Sequence, residues 1–304
     1  MSVPLIECVP NISEARREHV IDRLADEVRG IEGVSLLDRS SDVSHNRSVF
    51  TIAGTAAALS DAVLGLVSVA LETIDLRVHD GVHPRVGAVD VVPFVPLTNA
   101  TMADCVDLAR RVGRQIADRF GVPVYLYEHA AVDPARRRLP DIRRGEFEGL
   151  AAKMSRPEWR PDFGPAHPHA TAGATVVGAR EILVAYNVNL ATGRLEVARR
   201  IASLIRERDG GLPGVRALGL SLPHRGIVQV SMNLVDHRTT ALRVVFDRIA
   251  AEAAREGVDV LESEIVGLVP SAALAGTTPG HLRLSGFSAD QVLEERLRAA
   301  GFQV

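Results

Sequence analysis

The sequence predicts an α/β (α+β) fold made of two ferredoxin-like-related subdomains, residues 1–178 and 179–304, with facing sheets and helices on the outside. Three observations predict it. The order strand, helix, strand, strand, helix, strand occurs once before residue 100 and again after residue 178, which is the split βαβ arrangement. The 304 residues are 46% hydrophobic, enough for two medium-sized cores. Sheets with helices on one face must bury the other face, so two of them facing each other would leave a cleft suited to a ligand.

Each element has a local reason. Residues 4–10 form an apolar run between prolines and read as a strand. In the following helix Val20, Ile21, Leu24 and Val28 recur at helical spacing, with Ser13 as the expected cap. Strands follow at VSLLD and VFTIAG, around the turn-rich SSDVSHNRS. A helix over 56–74, a strand over 88–95, a helix over 102–120 and the strand VPVYLY come next. Residues 128–174 hold six prolines and one plausible helix, 146–154. A stretch that long with little pattern is uncommon unless it has a job. The second half reads as the strand run GAREILVAYNVNL, a helix over 195–208, strands over 215–220 and 227–234, a helix over 239–256 and a strand over 258–266. A last helix covers 289–300.

Composition narrows the function. With 35 basic and 38 acidic residues the net charge is −3, and nothing points to nucleic acid. No apolar run reaches the length of a membrane span and no leader is apparent, so a cytoplasmic protein with two reduced cysteines, Cys8 and Cys105, is expected.

The chemistry concentrates in HDGVHPRVGAVD, residues 79–90. His79 and His83 have the spacing of a helical pair, but Gly81 weakens a helix and Pro84 pushes His83 toward extended backbone. An irregular loop between a helix and a strand is therefore expected, and loops on a rigid scaffold are where catalytic groups sit. His83 is the first candidate for acid/base work and His79 the alternate, with Asp80 and Asp90 available to orient either imidazole. Arg47 and Arg85 could hold carboxylates by paired hydrogen bonds. His45, His79, His83, His167 and His169 would suffice for zinc, yet no spacing matches a known ligand set, so no metal is expected. The segment GPAHPHATAG (Gly164, Pro165, Ala166, His167, Pro168, His169, Ala170, Thr171, Ala172, Gly173) is small and polar, a wall on which a flat ligand can lie.

ECVPNISE, HNRSVFTIAG, HDGVHPRVGAVDVVPFVPL, VPVYLY, PDFGP before GATVVGAR, AYNVNL, QVSMNL and EIVGLVP occur here in one order from about residue 5 to 275. The chain thereby resembles the glutamate formiminotransferases, and specifically the transferase portion of formiminotransferase-cyclodeaminase. The resemblance implies transfer of a formimino group from N-formiminoglutamate to N5 of tetrahydrofolate, in histidine degradation. It also implies a tunnel for the folate between two subdomains, and a homodimer. The family's catalytic histidine precedes Pro-Arg and falls on His83, and its folate-contacting segment falls on residues 164–173. Arg47, Arg85, Arg180 and His79 are the candidates for substrate binding.

The chain departs from the family where Asp80-Gly81-Val82 separates the histidines, and where Ser40 replaces an aspartate that supports the catalytic one. Asp42 or Asp38 would have to substitute. One imidazole can take the N5 proton and deliver it to the departing glutamate nitrogen, without a metal or a covalent intermediate. A folate-dependent formyltransferase using N-formylglutamate and a non-catalytic folate-binding protein are the alternatives, with a metal-dependent hydrolase as a weaker one.

Overall fold

The computed structural model describes residues 3–304. The chain divides into two compact units, one ending at Arg180 and one running from Glu181 to Val304. The α+β class expected from the sequence is what the structure has: two sheets and, among the described residues, eight α-helices.

The first unit opens with β1 (Ile6–Cys8), β2 (Asn11–Ile12), α1 (Glu18–Arg29), β3 (Val34–Asp42), β4 (Arg47–Gly54), α2 (Ala56–Thr73) and β5 (Val89–Pro96). The strand expected over residues 4–10 ends early, because Pro10 lacks the N–H that a ladder needs. Both β1 and β2 lie between β4 and β5, and β3 pairs with β4, all antiparallel. That is the ferredoxin-like order. The helix expected from Ser13 begins later: Ser13 is buried and donates to Gly87 O at 2.7 Å, while the Glu14 carboxylate accepts from the backbone N–H of Arg16 and Arg17. Helix α2 is long and apolar enough to cross a membrane, contrary to expectation, but Leu59, Val63, Leu66 and Val67 are buried in the core.

The unit then adds α3 (Met102–Phe120), β6 (Val124–Glu128), α4 (Leu139–Arg143), α5 (Glu146–Met154) and β7 (Thr175–Ala179). A Thr101–Asp104 capping box starts α3, and Gly121 ends it at φ 64°. Strand β7 inserts between β5 and β6, parallel to both, so this sheet is not wholly antiparallel; α3 supplies the crossover that parallel strands require. The run GAREILVAYNVNL, expected as one strand, is cut in two. Its Gly178 lies in β7, and the next strand starts at Val184. Residues 128–174, expected to be mostly irregular, hold α4 as well as α5. Ile142, Leu150 and Met154 from those helices cover Val91, Tyr125, Tyr127 and Val176 on the sheet. Helix α4 is five residues long with a proline in its first turn, too short for periodicity to show.

The second unit has β8 (Val184–Leu190), α6 (Leu195–Ile205), β9 (Val215–Leu222), β10 (Ile227–Leu234), α7 (Leu242–Arg255), β11 (Val260–Val266) and α8 (Leu293–Ala299). Its sheet order is β11-β8-β10-β9, antiparallel throughout, again the ferredoxin-like order. Tyr186, Val188, Ile201, Val230, Val245 and Ile249 form its core.

Candidate active site

Residues 74–88 join α2 to β5 without regular structure, as Gly81 and Pro84 lead one to expect. The loop is packed rather than loose. Val82 N donates to Ser44 O at 3.3 Å, and a Cβ on Gly81 would lie 2.4 Å from His45 O. The loop thus rests on the turn between β3 and β4. Asn46 pins the two together from a left-handed backbone, φ 49°, that asparagine tolerates. Its side chain donates to Asp80 O at 2.8 Å and accepts from Ala15 N at 2.9 Å.

The two histidines are separated by their partners. His79 Nδ1 accepts from Arg85 Nε at 3.2 Å, so its proton sits on Nε2, which lies 3.0 Å from Asn46 O. Both nitrogens of the neutral ring are occupied. Burial, ahead of the Arg85 charge, holds its pKa below the usual imidazole value. Arg85 is only 6% exposed and uses every N–H it has. Nη1 donates to Glu146 and Glu148, each at 3.0 Å, and Nη2 donates to Glu148 at 2.7 Å and His79 O at 3.3 Å. No donor is left for a substrate carboxylate, so the structure gives Arg85 a different place from the clamp expected of it: it locks His79 and the loop onto the start of α5.

His83 is held less fully, by a backbone contact with Pro84 and by no side-chain hydrogen bond among the described residues. Its ring packs edge-to-face on His45, centroids 5.9 Å apart. His45 is held in turn by Asp42, with 2.8 Å between Nδ1 and the carboxylate. Asp42 therefore reaches His83 through another imidazole and not directly. Desolvation, then the charges of Arg47, Arg143 and His45, hold the His83 pKa far below the ordinary value, to about 2. The ring is neutral at physiological pH. Neither aspartate expected to orient an imidazole does so: the exposed Asp80 faces Arg16 at 3.7 Å, and Asp90 is buried elsewhere.

Asp90 is 2% exposed and accepts from Val86 N at 2.7 Å, from Gly87 N at 3.3 Å and from Arg143 Nε at 2.9 Å, with a second bond from Arg143 Nη2. It fixes the loop backbone and brings Arg143, the last residue of α4, into the site. Arg47, at the start of β4, donates to the neutral Asn11 Oδ1 at 2.9 Å and has no carboxylate partner among the described residues. Burial and the like charge of Arg143 lower its pKa to about 10, with Asp90 and Asp42 opposing. Arg47 and Arg143 carry more positive charge than the one carboxylate bonded to them offsets, the setting for an anionic ligand. Arg180, the third arginine expected, acts on a buried Glu7, whose pKa is pushed up to about 7 by desolvation against the Arg180 charge.

The small-residue segment meets the same loop. Thr171 O accepts from Leu76 N at 2.8 Å, Ala172 O from Ala88 N at 3.0 Å, and Val86 O from Ala174 N at 2.9 Å. His169 and Gly173 exchange backbone bonds of 2.8 and 2.9 Å. Gly164, Ala166, His167 and Ala170 are exposed, Pro165, Pro168, His169 and Thr171 half-buried, and Ala172 and Gly173 buried. Gly173 has φ +67°, and a Cβ there would lie 2.0 Å from Val86 O. Among the described residues no group of three His, Cys, Asp or Glu side chains is placed to hold a metal. The sequence reading missed Asn46, Arg143, Glu146 and Glu148. Of these only Asn46, in the turn HNR, carries a local signal.

The family described as formiminotransferase domain, N-terminal subdomain, matches residues 5–180, and the formiminotransferase domain matches residues 185–286. A glutamate formimidoyltransferase from Streptococcus pyogenes serotype M1 is 44% identical over 294 residues, covering 96% of this chain and 98% of its own. One from Thermoplasma acidophilum is 43% identical, covering 97% and 98%. A formimidoyltransferase-cyclodeaminase from Gallus gallus is 44% identical over 89% of this chain but only 51% of its own length.

Proposed function

The chain belongs to the formiminotransferase family, and from that premise we propose that it transfers the formimino group of N-formiminoglutamate to N5 of tetrahydrofolate, releasing glutamate, with His83 as the acid/base group. The observation that carries the assignment to His83 is the asymmetry of the pair. His79 spends both nitrogens on Arg85 and Asn46, whereas His83 is neutral, half-buried and ringed by cations.

N5 attacks the amidine carbon and becomes cationic in the tetrahedral adduct. Neutral His83 takes that proton. The glutamate nitrogen leaves only when protonated, and the imidazolium delivers the proton to it, which restores the starting ring. Arg47 and Arg143 flank His83 electrostatically and are the groups suited to the donor's carboxylates; Arg47 has no other anion bonded to it among the described residues. Residues 164–171 are the folate wall on this reading, held against the loop by the bonds at Thr171 and Ala172. Turnover of the purified protein with tetrahydrofolate and N-formiminoglutamate, then with N-formylglutamate, tests the reading. Formimino transfer is the expected result; turnover with the formyl donor alone would sink it.

A further inference from the structure

Lys153 stands apart in this chain: of 35 lysines and arginines it is the one lysine. It lies in the last turn of α5, and its side chain folds back onto the end of α4. Nζ donates to Asp141 O at 2.5 Å, to Ile142 O at 2.7 Å and to Arg144 O at 3.2 Å. It also sits 3.8 Å from the centre of the Trp159 ring, a cation–π contact. That ring is anchored in turn, since Trp159 O accepts from Tyr125 OH at 2.5 Å.

An ammonium suits this place and a guanidinium does not. Lysine directs three N–H groups tetrahedrally from one atom, whereas arginine spreads five in a plane. All three ammonium donors are used, so Lys153 has none left for a ligand. Its work lies in what it holds. Helix α4 is five residues long, too short to stand on its own hydrogen bonds, and the last carbonyls of a helix have no partner within it. Lys153 supplies one. The carbonyls it takes include those of Ile142 and Arg144, on either side of Arg143. Asp90 fixes the Arg143 guanidinium, and Lys153 fixes the backbone that carries it.

We propose that Lys153 is a positioning residue for the formimino donor: by tying the end of α4 to α5, it sets the reach of Arg143 toward the donor's carboxylates. This rests on the assignment of those carboxylates to Arg143 in the transferase reading.

Steady-state constants of the full-length protein, Lys153→Met and Lys153→Arg test it. Both variants are expected to raise KM for N-formiminoglutamate by roughly 10-fold, because a small misplacement of a binding group is costly, with KM for tetrahydrofolate within about twofold. In an Arg143→Met background, Lys153→Met should raise KM for N-formiminoglutamate no further. Acetylation of the folded wild type with an N-hydroxysuccinimide ester makes the test independent of how the variants fold, because Lys153 is the only amine it meets besides the N-terminal one. The acetylated wild type should show the same rise, and acetylated Lys153→Arg none beyond its own. Unchanged constants in Lys153→Met and in the acetylated wild type, recovery of the wild-type value by arginine, or an equal rise in both KM values overturns the positioning role while wild-type formimino transfer stands. A further rise in the Arg143→Met background does the same. Absence of turnover in the wild type takes down the transferase reading, and this inference with it.

Discussion

Replacing Asp90 by asparagine tests how far the loop that carries His83 is held by one buried anion. The carboxylate is 2% exposed and its partner Arg143 is largely buried, so solvent does little to screen the pair. Breaking a buried ion pair from one side costs about 3–5 kcal/mol. Asparagine keeps an oxygen for the backbone N–H of Val86 and Gly87, which places Asp90→Asn near the lower end, about 3 kcal/mol. For a unit of this size that is a fall in Tm of roughly 6–12 °C. Trp159, the protein's single tryptophan, lies in the first unit, so its fluorescence during urea denaturation reports the unit concerned. Arg143→Met and the double variant complete a cycle, with an expected coupling above about 1 kcal/mol. Turnover should fall as well, because the same carboxylate sets the backbone three and four residues beyond His83. Single effects that add to within about 0.5 kcal/mol in the double variant would refute the claim that the two groups act as a pair.

His83→Ala is expected to lower kcat by roughly 100-fold or more with little change in folate affinity, measured by steady-state kinetics beside direct folate binding. His79→Ala should cost less in kcat but destabilise the protein, since it breaks the links to Arg85 and Asn46; thermal melts check this. For pH, kcat/KM follows the neutral fraction of His83, which Arg47 helps maintain. Arg47→Met should therefore move the acid limb of the profile upward, toward the ordinary imidazole value of about 6.5. Gly173→Ala should destabilise the fold by more than about 1 kcal/mol, because its Cβ meets Val86 O at 2.0 Å. Ala166→Phe, at an exposed position, should instead weaken tetrahydrofolate binding at unchanged Tm.

What could be read from the sequence was local. Gly81 and Pro84 foretold an irregular loop, and the run ending in AYNVNL was expected as a strand, which its second part, β8, is. What could not be read depends on residues far apart in the chain. Arg143 reaches Asp90 across 53 positions, and Glu148 reaches Arg85 across 63. Nothing in either local sequence encodes that meeting. Arg85, beside the candidate catalytic histidine, has the right chemistry for a carboxylate clamp; only the packing of α5 shows its donors to be spent. The parallel strand β7 was hidden because its run of apolar residues continues almost directly into β8, and periodicity does not show a change of sheet.

The contrast between the two histidines also bears on how the proposed reaction is timed. A base held near pKa 2 by burial and by Arg47, Arg143 and His45 is a weak proton acceptor while the site is empty. Each donor carboxylate that pairs with Arg47 or Arg143 removes part of the field that disfavours the imidazolium. His83 then becomes a stronger base when the donor is in place, so part of the donor's binding energy is spent on raising the basicity of His83. Arg85 could not serve this purpose, because Glu146 and Glu148 already neutralise it. An arginine bonded to a neutral asparagine, as Arg47 is to Asn11, and only partly offset by Asp90 and Asp42, keeps charge for a donor carboxylate on the proposed reading.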